Sequence, residues 1–181
     1  MKFSCFGRRA RGIRAIVIFV TMVGTSVALV SAEETAKHAF CDAPEYRQFD
    51  FWIGDWDGFE GGEPPVARLH VDKLLEGCVI HERYEGADGH RGESFSIYDA
   101  LRKVWHQSWV TNRGELLVIE GTFQDGEMVL TGADRTTNGR ERRVRGTWKA
   151  EGDAVRETAV TSTDGGKTWQ PWFDLMFRPH R

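Results

Sequence analysis

Two acidic residues stand where apolar ones are expected. Around the first the sequence reads Cys78-x-Ile80-x-Glu82-x-Tyr84, and around the second Val155-x-Glu157-x-Ala159. A carboxyl among apolar side chains is desolvated, which raises its pKa towards the range of a general acid or base. The same placement suits a carboxyl that pairs with an arginine or meets the polar group of a bound molecule. Arg142 shares the phase of Val144 and Trp148, and it is the cation this reading makes available. A third group, Trp105-x-Gln107-x-Trp109, places two indoles and an amide on one face of a strand. Such a surface suits a small, mostly apolar ligand with one polar group. The candidate ligand-contacting set is therefore Glu82, Tyr84, Trp105, Gln107, Trp109, Arg142 and Glu157. No G-x-S-x-G, P-loop or dinucleotide fingerprint accompanies it. We assign no catalytic residue on this basis and prefer a structural or ligand-contacting role for the two carboxyls.

Cysteine and histidine chemistry is sparse. Of three cysteines, Cys5 lies in an N-terminal leader, and Cys41 and Cys78 remain as an even pair. In an oxidising compartment they are expected to form one disulfide from the start of the mature chain to an early strand. Two buried thiols are the alternative. His70, His81, His90 and His106 form no i, i+2 pair and have no C-x-x-C beside them. They are expected on the surface, His81 on the polar phase beside Arg83, and no metal site is expected.

The elements that carry these residues are strands. Turn signals recur at Asn112-Arg113-Gly114, Asp125-Gly126, Asn138-Gly139, Glu151-Gly152-Asp153 and Gly165-Gly166, about thirteen residues apart. That spacing predicts ten strands, at Phe49–Asp57, Val66–Leu74, Cys78–Glu85, Ser94–Asp99, Val104–Thr111, Leu116–Phe123, Glu127–Ala133, Arg140–Lys149, Val155–Ser162 and Thr168–Phe177. Gly77 separates the second and third weakly, so they read also as one bent strand with a bulge. Cys41 to Gln48 reads as a short helical turn that plugs a barrel end. Trp52, Trp56, Trp148 and Trp169 are expected in the core, and Trp169, Phe173, Leu175 and Phe177 as one stripe. A long antiparallel meander cannot leave its edges bare. The expected fold is all-β, an antiparallel up-and-down barrel of eight to ten strands.

Two motifs agree with this fold. Gly54-x-Trp56, within Phe49-Asp50-Phe51-Trp52-Ile53-Gly54-Asp55-Trp56, resembles the G-x-W signature of lipocalins and related calycin barrels. In those barrels the tryptophan packs across the closed end. Ser162-Thr163-Asp164-Gly165-Gly166-Lys167-Thr168-Trp169 is similar to the Asp-box hairpin of sialidases and other propellers. It occurs once here, in a chain too short for a typical propeller, and reads as turn chemistry. These two motifs, with the segment Leu75 to Glu82 and Gln107-Ser108-Trp109-Val110, resemble a family of uncharacterised exported bacterial domains. The resemblance spans nearly the whole mature chain. It implies a lipocalin-like barrel of unknown activity and carries no catalytic residue with it. A ten-stranded haem barrel of nitrobindin type places an axial histidine on a late strand. This chain has none between His106 and His180, so neither haem nor another cofactor is expected.

The leader supplies an address. Arg8, Arg9, Arg11 and Arg14 precede an uncharged apolar run from Ala15 to Val30, and Val30-Ser31-Ala32 fits a signal-peptidase site. Residues 1–32 are read as a signal peptide and residues 33–181 as the barrel domain, in the periplasm or secreted. The run is short for a membrane anchor, and Arg8-Arg9 leaves twin-arginine export open beside the general route. Five of the 24 basic residues and none of the 27 acidic ones precede residue 33, so the remainder carries a net charge of −8. An acidic surface argues against nucleic acid or anionic membrane as partner. The expected function is binding of a small, partly apolar molecule inside the barrel. The alternatives are a barrel enzyme of isomerase or hydrolase type using Glu82 or Glu157 as acid/base, and an interaction module with a filled core.

Overall fold

Ten strands are present in the computed structural model, which describes residues 40–136 and 138–181. They are β1 Gly54–Phe59, β2 Ala67–Leu74, β3 Val79–Gly86, β4 Arg91–Asp99, β5 Val104–Thr111, β6 Leu116–Gln124, β7 Glu127–Arg135, β8 Glu141–Glu151, β9 Ala154–Ser162 and β10 Gln170–Pro179. Each pairs antiparallel with its sequence neighbour, and β10 pairs with β1. The result is a closed up-and-down barrel of the lipocalin-like kind, with no free sheet edge. The turns do what their residues require. Asp125 and Gly126 link β6 to β7 as a two-residue loop, with φ of 52° and 82°, the positive pair that a type I′ hairpin demands. Among the described residues, no helix is long and apolar enough to cross a membrane. The leader, residues 1–32, lies outside the described residues.

One barrel end is closed by the chain that enters it. Pro44–Arg47 and Asp50–Trp52 form single 3-10 turns, the first within the segment expected to plug the barrel. The first strand therefore starts at Gly54 and not at Phe49. Trp52 N–H donates to the Phe49 carbonyl and Ile53 N–H to that of Asp50, so the backbone is satisfied locally. The turn drives the Phe49 and Trp52 side chains into the barrel, where both are fully buried. An alternating Phe-x-Phe-x-Ile segment reads as a strand until its terminal position is known. The Cys41–Cys78 disulfide ties the plug to the turn before β3.

Of two further boundaries, one settles an open alternative and one differs from expectation. β2 and β3 are not one bulged strand. They pair as a hairpin from Leu74 opposite Val79 outward, across a 3-10 turn at Leu75–Gly77. β10 starts two residues late because the Asp-box loop extends through Trp169, and a bulge lies between Pro171 and Phe173. Trp169 consequently leaves the stripe of Phe173, Leu175 and Phe177. It is half-buried outside the core, with its indole N–H on the Gly166 carbonyl and the Arg145 guanidinium 4.3 Å from its ring centroid.

Candidate functional site

The strand register brings the candidate residues together. Glu82 lies opposite Val71 and Ser94, Trp109 opposite Ser94 and Leu117, and Gln107 opposite Ser96 and Ile119. Glu157 lies opposite Trp148 and Leu175. All of these share the phase of Leu69, Leu130 and Phe177, which are buried, so all face the lumen. Burial declines from the plugged end to the other. Along β5, Trp105 and Gln107 are buried and Trp109 is half-buried; along β7, Met128 and Leu130 are buried and Gly132 and Asp134 half-buried. The lumen is filled at the plug and accessible at the far end.

Glu82 and Glu157 form the floor of the accessible part. β3 and β9 stand four strands apart around a ten-strand ring, on nearly opposite walls. Glu82 is 7% exposed and accepts a hydrogen bond from Ser94 Oγ at 2.8 Å. Desolvation pushes its carboxyl up to about 7, against the lowering influence of Ser94 and of the Trp52 indole. Desolvation raises Glu157 well above the usual carboxylate range. Repulsion from Glu82 adds to this, and the Trp148 indole opposes it. No described group donates a hydrogen bond to Glu157, and its oxygens are not among the occluded polar atoms. Glu157 is half-buried. A side chain of that kind borders an internal space that solvent reaches.

The indoles complete the floor. Trp52 and Trp148 are 1% and 3% exposed, and each buries its Nε1–H with no hydrogen-bond partner. Trp52 lies near Glu82 and Trp148 near Glu157, each close enough to influence the carboxyl yet outside hydrogen-bond geometry. Two donors thus lie beside two acids without bonding them. The cost of an unmet buried donor is about 1–3 kcal/mol. Trp148 reaches this position because β8 carries Gly146 beneath its ring, where a Cβ would come within 2.8 Å of the indole.

Aromatic groups line the wall above. Tyr84 packs edge-on against Trp109 and His90, with centroids 5.9 Å and 5.8 Å away. Its hydroxyl pKa is raised by desolvation first, then by Asp88, Glu157 and Glu82. Trp109 lies flat over Gly92, where a Cβ would sit 2.3 Å from the ring. Gln107 donates to Ser96 Oγ at 3.1 Å. Trp105 faces inward but belongs to the plugged end: it packs on Phe49 and Tyr98 and donates Nε1–H to Gln48 Oε1 at 3.1 Å.

Arg142 is not the partner of either lumen carboxyl. It sits at the open end, where its Nε donates to Asp134 Oδ1 at 2.9 Å and its guanidinium lies 4.5 Å from the Trp172 ring centroid. Six residues of strand separate it from Trp148, the neighbour of Glu157, a distance of about 20 Å. Phase alone placed Arg142 and Glu157 in one lumen and said nothing of depth along it. The Glu82–Glu157 floor therefore has no cation of its own among the described residues.

His81 is also placed differently from expectation. It projects outward but is 7% exposed, stacked on Phe95 at 4.7 Å between centroids. Arg83 lies 3.0 Å from its Nδ1, and its Nε2 meets Glu93 at 2.8 Å. His70 and His106 pair with Asp55 and Glu120 on the outer surface.

Sequence reasoning missed Ser94, Ser96 and the polar ends of Trp52 and Trp148. β4 carries a signal for the serines: Gly92, Ser94 and Ser96 alternate with Glu93, Phe95 and Ile97. Small polar residues on the lumen phase leave room inside, and the larger apolar ones go outside. A recess of about 560 Å³ lies on the outer wall of β6 to β8. Its ionisable groups are already engaged, Glu120 with Arg102 and His106, and Arg145 with Trp169. Two of the buried polar atoms without a hydrogen-bond partner, the Trp52 and Trp148 indole nitrogens, lie on the lumen side. No protein-family model matches this chain, and no curated protein matches it.

Proposed function

We propose that this is an exported barrel that binds a small, partly apolar molecule in its lumen, with the molecule's polar group at Glu82 and Glu157. The observation that carries the reading is the mismatch at the floor. Two facing carboxyls lack a cation, two buried indole N–H groups lack an acceptor, and the wall above them is aromatic and open at one end. A buried polar group without a partner is costly, and the polar group of a ligand would meet both carboxyls at once. The Cys41–Cys78 disulfide is compatible with export to an oxidising compartment. The resemblance to exported lipocalin-like domains agrees with this reading.

The test is native mass spectrometry on protein purified from its own host, with tryptophan fluorescence on extracted and reloaded protein. Trp109 borders the accessible lumen, so its emission should shift when a ligand enters. A host-purified protein of bare polypeptide mass, with emission unmoved by host small-molecule extract, would reject the reading. One observation favours a second reading, acid/base catalysis in a barrel enzyme: Glu82 is poised near neutral pH. Turnover of the co-purified molecule, lost in Glu82→Gln and Glu157→Gln, would select it over binding alone.

A further inference from the structure

We infer that the lumen ligand is an organic ammonium ion, its cationic nitrogen seated between Glu82 and Glu157 and its apolar body against Tyr84 and Trp109; this rests on the binding reading above. Glu82 and Glu157 come from opposite walls, so a group between them meets a carboxyl on each side. No cation of the described residues takes that place. Arg142 is held by Asp134 at the mouth, and Lys73, on the lumen phase of β2, is bound by Asp50 at 2.6 Å in the plug. An anionic ligand group would face two acids with no counter-charge. A hydroxyl could bond one acid but would leave the carboxyls repelling each other.

An ammonium group supplies both carboxyls with the cation they lack. With both acids ionised, each accepts from the ammonium, and each has an indole N–H beside it, Trp52 by Glu82 and Trp148 by Glu157. A charge-assisted bond is also stronger than the neutral one it replaces. The faces of Tyr84 and Trp109 suit a cation and its hydrocarbon stem. The net charge of −8 on residues 33–181 draws cations toward the barrel.

Binding should release protons, because the floor is partly protonated when empty. Of the other groups that face it, Tyr84 does not compete in this range, and the part of His90, which packs on Tyr84 and Trp109, is separated by repeating the titration in His90→Gln. Tyr84 on β3 has its pKa moved further up. Ser94 on β4, the indoles of the plug and β8, and Leu175 on β10 do not titrate. His90, in the loop before β4, lies at the mouth with its Nε2 3.4 Å from Glu115, and Arg142 and Asp134 neutralise each other there. Affinity should therefore fall by up to about tenfold per pH unit below pH 7 for each linked proton.

The experiment uses three probes on one scaffold: 2-phenylethylamine, 2-phenylethanol and 3-phenylpropanoate. Each is titrated into the disulfide-intact barrel by calorimetry in two buffers of different ionisation enthalpy, between pH 6 and 8. The expected result is that the amine binds at least tenfold tighter than the alcohol, releases protons, and weakens at least tenfold in Glu82→Gln and in Glu157→Gln. Selectivity and proton release are read on the unsubstituted protein, so the test survives a variant that folds poorly. Alcohol or propanoate binding as tightly as the amine would overturn the ammonium assignment and leave the lumen reading standing. Binding of none of the three would overturn the assignment, and bare protein from the host would remove the lumen reading with it.

Discussion

Replacing Glu82 by glutamine should stabilise the barrel above neutral pH. The physical reason is the displacement of its proton affinity by burial. In an unfolded chain its carboxyl titrates near 4.5, and in the barrel near 7. At about 1.4 kcal/mol per tenfold change in proton affinity, the difference amounts to about 3 kcal/mol. The sign follows from linkage. Between the two values the folded state holds a proton that the unfolded state has lost, so stability falls as pH rises. The favourable contribution is whole below pH 4.5, declines through the interval, and is absent above about pH 7. Glu157 moves in the same direction, by desolvation and by repulsion from Glu82. The assay is urea unfolding followed by far-ultraviolet circular dichroism at intervals from pH 5 to pH 8. Surface pairs titrate in both proteins, so the quantity to read is the difference between wild type and Glu82→Gln. That difference should shift by about 3 kcal/mol in favour of the variant across the range. Glutamine preserves shape and can still accept from Ser94 Oγ, so little packing is lost. A difference independent of pH would refute the placement of Glu82 as a desolvated carboxyl. A difference that favoured the wild type as pH rose would show that Glu82 has a cationic partner in the fold.

Other perturbations probe the parts around it. Replacing Cys41 and Cys78 by serine opens a crosslink spanning 37 residues, and the chain-entropy relation gives a loss of about 4 kcal/mol; equal urea midpoints for the oxidised barrel and the variant would contradict this. Valine at both Gly165 and Gly166, where φ is 77° and 92°, should cost about 2–4 kcal/mol together, while lumen affinity of the folded fraction stays unchanged. Loss of affinity without loss of stability would give the Asp-box a binding role. Gly92→Val should drive the Trp109 ring from its place, costing about 1–3 kcal/mol and red-shifting tryptophan emission; an unshifted spectrum would mean that the ring does not lie on Gly92.

The barrel was legible because its determinants are local. Turn glycines at fixed spacing and the two-residue alternation of each strand specify hairpins one at a time, and closure follows from the need to cover edges. Phase was equally readable: Glu82, Gln107 and Glu157 face inward as their neighbours predict. Depth was not. Arg142 and Glu157 share a phase and differ by most of a strand's length, and only the stagger of the whole ring decides which residues meet. The Phe49–Ile53 segment failed for another reason. Its alternation fits a strand, but its position before the first hairpin leaves it no partner on the plugged end, and burial of Phe49 and Trp52 outweighs extension. The indole donors were invisible because a tryptophan reads as core whether or not its nitrogen finds an acceptor. Whether it does depends on a carboxyl many residues away.

The plug joins folding to the floor of the lumen. Trp52 belongs to the entering segment and not to the sheet, so one of the two unpaired indole donors is delivered by a piece of chain held from outside the barrel. That piece is fixed at its far end by Cys41, whose partner Cys78 lies four residues before Glu82 on the way into β3. Between the two cysteines the plug is secured by apolar contacts, with Phe49 against Trp105 and Trp148 and with Trp52 against Trp56 and Phe177. Reduction would leave these contacts in place and lengthen the tether that keeps Trp52 beside Glu82. The disulfide thus acts on the geometry of the floor as well as on the unfolded chain. Under oxidising conditions the bond persists and keeps Trp52 beside Glu82, while Trp148 is held by β8 itself.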